Sequence, residues 1–183
     1  MQGVLEMNPK KELISWIKSL MLAIILALFM RTYLFSPYIV EGASMEPTLH
    51  NQEKIFVNKL GTSNDLKRGD IVIIKGKGEN YVKRVIGFPG EKIEMKNDEL
   101  YINKEIMRES YLTANLHSAN KSGSKLTGDF GPLVVPEGHL FVMGDNRLHS
   151  MDSRNGLGYI KKSSIVGKSE IVFLPVKNIR KIK

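Results

Sequence analysis

Between Leu13 and Phe35 the chain is mostly apolar, interrupted in charge only by Lys18 and Arg31, with an uncharged middle from Ser19 to Met30. That middle alone is shorter than the ~20 residues a membrane helix needs. Lys18 and Arg31 extend the span by snorkelling toward the two interfaces. Trp16, Tyr33 and Tyr38 fall where interfacial aromatic residues are expected. The expectation is one uncleaved membrane anchor helix over residues 13–36, ended at Ser36-Pro37 because proline disfavours helical geometry in the residue before it. Two readings compete, a cleaved secretory signal and a helix buried in a soluble core. Against the first, Arg31 follows the apolar middle at once and no A-x-A site lies near its end. Against the second, such a helix would have to hide apolar surface nearly all the way round. Lys10, Lys11 and Lys18 precede the span and only Arg31 closely follows it. The positive-inside rule therefore puts residues 1–12 in the cytoplasm and residues 37–183 outside the cell membrane.

Past the anchor the pattern changes to short strands separated by turns. Candidates are 54–59, 70–75, 81–87, 92–95, 100–103, 133–135, 139–143 and 168–174, with Lys96-Asn97-Asp98-Glu99 as a hairpin turn and Gly76-Lys77-Gly78 as a hairpin connection. Few helical stretches remain, so the fold class is mostly β, an antiparallel sheet domain preceded by one transmembrane helix. Thr113 to Gly128, rich in Ser, Asn, Lys and Gly, reads as a mobile surface loop. The tail from Lys177 to Lys183 reads as a solvated end.

With 183 residues there is room for one moderate domain and an anchor. The 27 basic against 19 acidic residues leave a charge of +8, which favours anionic partners such as phospholipid head groups. Nucleic acid is not an expected partner, because the charge is scattered and no helix-turn-helix, zinc or aromatic RNA-binding signature is present. Cysteine is absent, which excludes disulfides and thiolate metal sites. Nothing in the sequence sets an oligomeric state.

Three blocks carry the chemistry. The first, Val40-Glu41-Gly42-Ala43-Ser44-Met45-Glu46-Pro47-Thr48-Leu49, offers a serine beside small residues. A serine hydroxyl needs a base to become nucleophilic, either a histidine or a lysine of lowered pKa. The second, Tyr81-Val82-Lys83-Arg84-Val85-Ile86-Gly87-Phe88-Pro89-Gly90-Glu91, offers Lys83 among apolar neighbours, and in a strand Arg84 points to the opposite face. The third runs from Phe141 to Arg154 and contains Gly144-Asp145-Asn146-Arg147, Ser150, Asp152 and Arg154. His50 and His149 sit in or beside these blocks and raise a serine-histidine alternative. A carboxylate dyad or metal site is disfavoured, since arginines stand beside the acids and no histidine lies at a ligand spacing.

The order G-x-S-M-x-P-T, Y-V-K-R-x-x-G-x-P-G-E, G-D-N-R-x-x-S-x-D-S-R behind an apolar anchor resembles the bacterial type I signal peptidases, in their small Gram-positive form. The resemblance implies a membrane-bound serine endopeptidase, without cofactor or metal, that removes signal peptides from exported preproteins after small residues at the first and third positions before the cut. It implies Ser44 as nucleophile, Lys83 as general base, and an acyl-enzyme hydrolysed by water. Ser150 then matches a serine that hydrogen-bonds the lysine amine, and Asp152 with Arg154 and Asp145 with Arg84 match supporting ion pairs. The amide of Ser44 is an expected oxyanion donor. Some relatives place a second donor serine where this chain has Gly42, so the backbone at Gly42 is expected to substitute. Val40, Met45, Leu49, Tyr81 and Val82 match the substrate-pocket lining. Two rival functions are a Ser-Lys protease that cuts itself or one dedicated substrate and an inactive membrane-bound binding module. The second should have lost Ser44 or Lys83, and both are present.

Overall fold

The computed structural model describes residues 9–60 and 65–182. The expected cytoplasmic segment 1–12 therefore lies mostly outside the described residues. Helix α1 covers Pro9–Phe29, a wider π-type turn follows over Met30–Leu34, and the chain passes directly into strand β1, Phe35–Ile39. Ser36 and Pro37, expected to end the helix, instead pair with Val57 and Phe56 inside β1. Proline is tolerated there because β1 is an edge strand and needs no amide on its open side. Within Lys10–Thr32 an 18-residue window reaches a mean hydropathy of 2.3, and none of that window is covered by the rest of the chain. Trp16 is 75% exposed and Leu20 62%, so the buried-core reading of this helix is excluded.

The remaining strands are β2 (Lys54–Asn58), β3 (Ile71–Lys75), β4 (Asn80–Gly87), β5 (Lys92–Lys96), β6 (Glu99–Ile102), β7 (Glu105–Met107), β8 (Phe130–Val134), β9 (His139–Met143), β10 (Ile160–Lys161), β11 (Ile165–Leu174) and β12 (Arg180–Lys181). They form two antiparallel sheets. The larger runs β1-β2-β11-β3-β4-β9-β10 with β12 paired to β11, and the smaller runs β7-β6-β5-β8. Each of the eight expected strands is present within a few residues of its expected limits. β1, β7, β10 and β12 were not legible, being very short or, for β1, continuous with the apolar run.

Strand β3 shows why the larger sheet is central. Its Ile71 and Ile73 enter one core cluster with Val40, Met45, Leu49, Ile55, Val57 and Val172. Val72 and Ile74, on the other face, join Val85, Leu140, Val142 and Ile160. A strand covered on both faces reads as a continuous apolar run, which Ile71-Val72-Ile73-Ile74 is. Each such side chain contributes roughly 1.5–3 kcal/mol on burial. The smaller sheet closes over its own cluster, which includes Ile86, Ile93, Leu100, Phe141 and Met143.

Residues 113–128, expected to be a mobile loop, begin with helix α2, Thr113–Lys121. Leu112, Leu116 and Ala119 recur at helical spacing and pack with Tyr111 and Leu126. The polar composition hid a short apolar stripe. Asp98 secures the return by accepting from the amides of Leu126 and Thr127 at 2.9 and 2.7 Å.

Candidate active site

The nucleophile block leaves β1 and turns back toward β2 through two reciprocal contacts. Val40 donates its amide to the Glu53 carbonyl and accepts from the amide of Gln52, both at 2.8 Å. Met45 and Leu49, almost fully buried, pin the turn from below, which presents Ser44 upward. Across from it, β4 carries Lys83 on the face opposite Arg84. The Lys83 Nζ lies 2.7 Å from Ser44 Oγ. Lys83 is 3% exposed.

Burial penalises the ammonium form and brings Lys83 down from 10.5 to about 8, against the fields of Asp152, Asp145 and Glu79, which favour the charged form. The two aspartates are held by arginines. Arg84 grips Asp145 through Nε at 2.9 Å and Nη2 at 2.6 Å, and Thr48 donates its hydroxyl to the same carboxylate at 2.5 Å. Arg154 grips Asp152 through Nε at 2.9 Å and Nη2 at 2.8 Å. Burial alone would raise the Asp152 carboxyl, but the Arg154 guanidinium and the amides of Gly144 and Arg154 hold it below the usual carboxylate range. Both acids are thereby committed elsewhere, and desolvation decides the state of the lysine.

Two further contacts fix the nucleophile loop. The Asn146 amide donates to the Ser44 carbonyl at 3.0 Å and its side chain donates to the Ala43 carbonyl at 3.1 Å. Ser150 is buried beside Gly144, but its Oγ has no hydrogen-bond partner, so the expected bond to Lys83 is not made here. Gly42 has φ +83°, and its amide donates to Asn51 Oδ1 at 3.0 Å. That amide is spent, which removes it as the expected second oxyanion donor. The Ser44 amide donates to no carbonyl among the described residues.

A groove of about 670 Å³ opens beside the pair, lined among others by Tyr38, Ile39, Tyr81, Val82, His149 and Met151. Of the expected pocket residues, Tyr81 and Val82 line it. Val40, Met45 and Leu49 do not, because they form the core beneath. Ile39, 49% exposed on the edge strand, takes a place the sequence reading had given to Val40, one position along. The groove also follows an open strand edge. β3 pairs with β4 from Asn80 to Arg84, whereas β9 pairs with it only at Arg84, Val85 and Gly87. Among the described residues, no strand pairs with 80–83 on their β9 side.

Sequence reading missed several supporting groups. Tyr111 stacks on the Arg84 guanidinium, 3.9 Å from its centre, and Glu109 pairs with the buried Arg147 at 2.5 Å. The tail is not merely solvated. Arg180 donates to the Thr48 carbonyl at 2.6 Å and to both oxygens of Glu53 at 2.8 and 2.7 Å. None of these has a local signature, since each partner is distant in sequence.

Residues 13–174 match the model of the family described as signal peptidase, peptidase S26. The chain belongs to the signal peptidase family. Its relatives include Signal peptidase I of Bacillus amyloliquefaciens, 52% identical over 177 residues and 96% of each chain. Signal peptidase I T of Bacillus subtilis (strain 168) is 55% identical over 173 residues, 93% of this chain and 90% of that one. A crystal structure of a signal peptidase I from Enterococcus faecalis V583 superposes with TM-score 0.53 at 37% identity, covering 57% of this chain and 97% of that one. This peptidase is accordingly a hydrolase of the serine endopeptidase type, built on a mostly antiparallel β fold.

Proposed function

We propose that the chain removes signal peptides from membrane-inserted preproteins by a Ser44–Lys83 dyad. The observation that carries this is the 2.7 Å approach of a buried Lys83 amine to the Ser44 hydroxyl at the edge of an open groove. With its pKa brought to about 8, Lys83 is neutral in an appreciable fraction of molecules near pH 7.5 and accepts the Ser44 proton as Oγ attacks the scissile carbonyl. The free Ser44 amide donates to the developing oxyanion. Ser150, whose Oγ is uncommitted, accepts a hydrogen bond from the lysine once it is protonated. Lys83 returns the proton to the leaving amine and then activates the water that hydrolyses the acyl-enzyme.

The substrate lies extended along residues 80–83, adding a strand where β9 has left the edge. Ile39, Tyr81 and Val82 supply the apolar surface that selects small residues at the first and third positions before the cut. α1 spans the membrane with its N-terminus in the cytoplasm, in keeping with Lys10, Lys11 and Lys18 ahead of the span. The active site then stands just outside the lipid surface, at the height of an inserted preprotein's cleavage site.

The test is incubation of the detergent-solubilised full chain with a precursor carrying an A-x-A site, with products mapped by mass spectrometry. Cleavage after the second alanine by the parent, lost in Ser44→Ala and Lys83→Ala, is the expected result. Cleavage retained by either variant would remove that residue from the mechanism.

A further inference from the structure

Beyond Ser44 lies a second groove of about 400 Å³, lined in part by Glu46, Pro47, Asn115, Ser118, Leu148 and His149. It adjoins the first, since His149 lines both. It also abuts the nucleophile loop, since Asn146 on its lining holds the Ser44 and Ala43 carbonyls. The two grooves differ in where they lie along the chain. The first is walled by Pro37, Tyr38 and Ile39, immediately after the apolar span. The second receives no residue from β1 or the span, and α2 forms one of its walls.

We infer that this second groove is the binding site for the substrate segment that follows the scissile bond, the new N-terminus of the released protein. The inference rests on the peptidase reading above. A preprotein enters from the membrane, so its apolar segment and the residues before the cut cross β1 first and occupy the first groove. The chain then passes Ser44 and His149 and runs on over Pro47 and α2. The wall chemistry suits that occupant. Asn115, Ser118, Ser122, Ser124 and Asn146 already donate within the chain and keep oxygen lone pairs as acceptors for the amides of an extended backbone, beside apolar surface from Pro47 and Leu148. Many different proteins must pass through the same site, and an open wall contacts an extended backbone without enclosing its side chains. Leu148, 63% exposed, is the groove's single large apolar contact open to solvent. Among the described residues of its lining the one carboxylate is Glu46, which faces His50 at 3.8 Å, so the groove holds no strong net charge to restrict the residues after the cut.

α2 thereby acquires a use. It is tied to the active-site block by Asn115, whose side chain donates to the Asp145 carbonyl at 3.4 Å. Binding energy gained along α2, remote from the reacting bond, orients the scissile carbonyl against Ser44.

The test uses the full chain in detergent and two peptides identical up to the cut, one ending a single residue after it and one continuing for about six polar residues. The parent should cleave the longer with kcat/KM about tenfold higher. Ser118→Trp, an exposed substitution that fills the groove, should bring the ratio of long to short close to one. An equal kcat/KM for the two peptides in the parent overturns the inference, as does a ratio unchanged by Ser118→Trp in a variant with parental melting temperature. Cleavage of neither peptide by the parent removes the peptidase reading itself and this inference with it.

Discussion

Gly144 stands so close to Ser44 that a Cβ built on it would lie 2.4 Å from the Ser44 carbonyl oxygen and 2.2 Å from Ser150 Oγ. The third block therefore positions the nucleophile by backbone contact, which no side chain at residue 144 can preserve. Gly144→Ala should lower kcat/KM by about 100-fold, the usual cost of moving a reacting group by an ångström. Steady-state kinetics on a precursor would check this, and parental kinetics would show that the loop yields without consequence.

Lys83 must be neutral to take the Ser44 proton, and its pKa is about 8. kcat/KM should rise with pH through a midpoint near 8 and then level off, the limb of a base that loses its proton. His50→Ala and His149→Ala should leave that midpoint in place, although His149 lines the groove. A midpoint that moves in either histidine variant would assign the base to histidine.

The same burial makes Lys83 a burden on the fold. The unfolded lysine titrates at 10.5 and the folded one near 8, so between these values the unfolded chain binds more protons and stability rises with pH. Below pH 8 the penalty is complete. Lys83→Met should stabilise the protein by about 1–3 kcal/mol at pH 7 and by progressively less from pH 8 to 10.5, while abolishing activity. Urea unfolding at several pH values measures it, and a variant less stable than the parent at pH 7 would contradict it.

Glu53 has the opposite sign. Burial would raise its carboxyl, but Arg180, the His50 amide and Asn178 bring it from 4.5 to about 2. Its contribution is fully present above pH 4.5 and is lost as pH falls through 2. Arg180→Ala should cost about 3 kcal/mol at pH 7, since it strands a buried carboxylate, and should also lower activity because Arg180 holds the Thr48 carbonyl. Glu53→Gln should flatten the loss of stability between pH 4.5 and 2. Thermal melts across that range would show it, and an acid limb identical to the parent's would refute the assignment.

Much of the architecture was legible because the strands alternate or run apolar at strand length. Ile71-Val72-Ile73-Ile74 announces a buried strand on its own, and Lys96-Asn97-Asp98-Glu99 announces a hairpin. α2 was illegible because three small or aliphatic residues in a polar stretch signal a helix only once Leu126 and Tyr111 are there to cover them. The end of the apolar helix differs from the expectation because a proline that halts a helix also fits an edge strand. Val40, Met45 and Leu49 were read as pocket lining because an apolar residue beside a nucleophile has the same composition whether it faces substrate or core.

By itself, the sequence determined the chemistry available to this protein. It set out an apolar run long enough to cross a membrane, a serine in a small-residue turn, a lysine on a strand, and arginines in number enough to neutralise the nearby acids. Those are properties of residue type and local spacing, and local spacing is what a sequence displays. Only the tertiary structure decided that Lys83 is dry, that Asp145 and Asp152 are held by Arg84 and Arg154, that the Gly42 amide is already bonded, and that a second groove adjoins the nucleophile loop. Desolvation and pairing depend on what packs from elsewhere in the chain, and Ser44 and Lys83 meet only because strands far apart in sequence share one core.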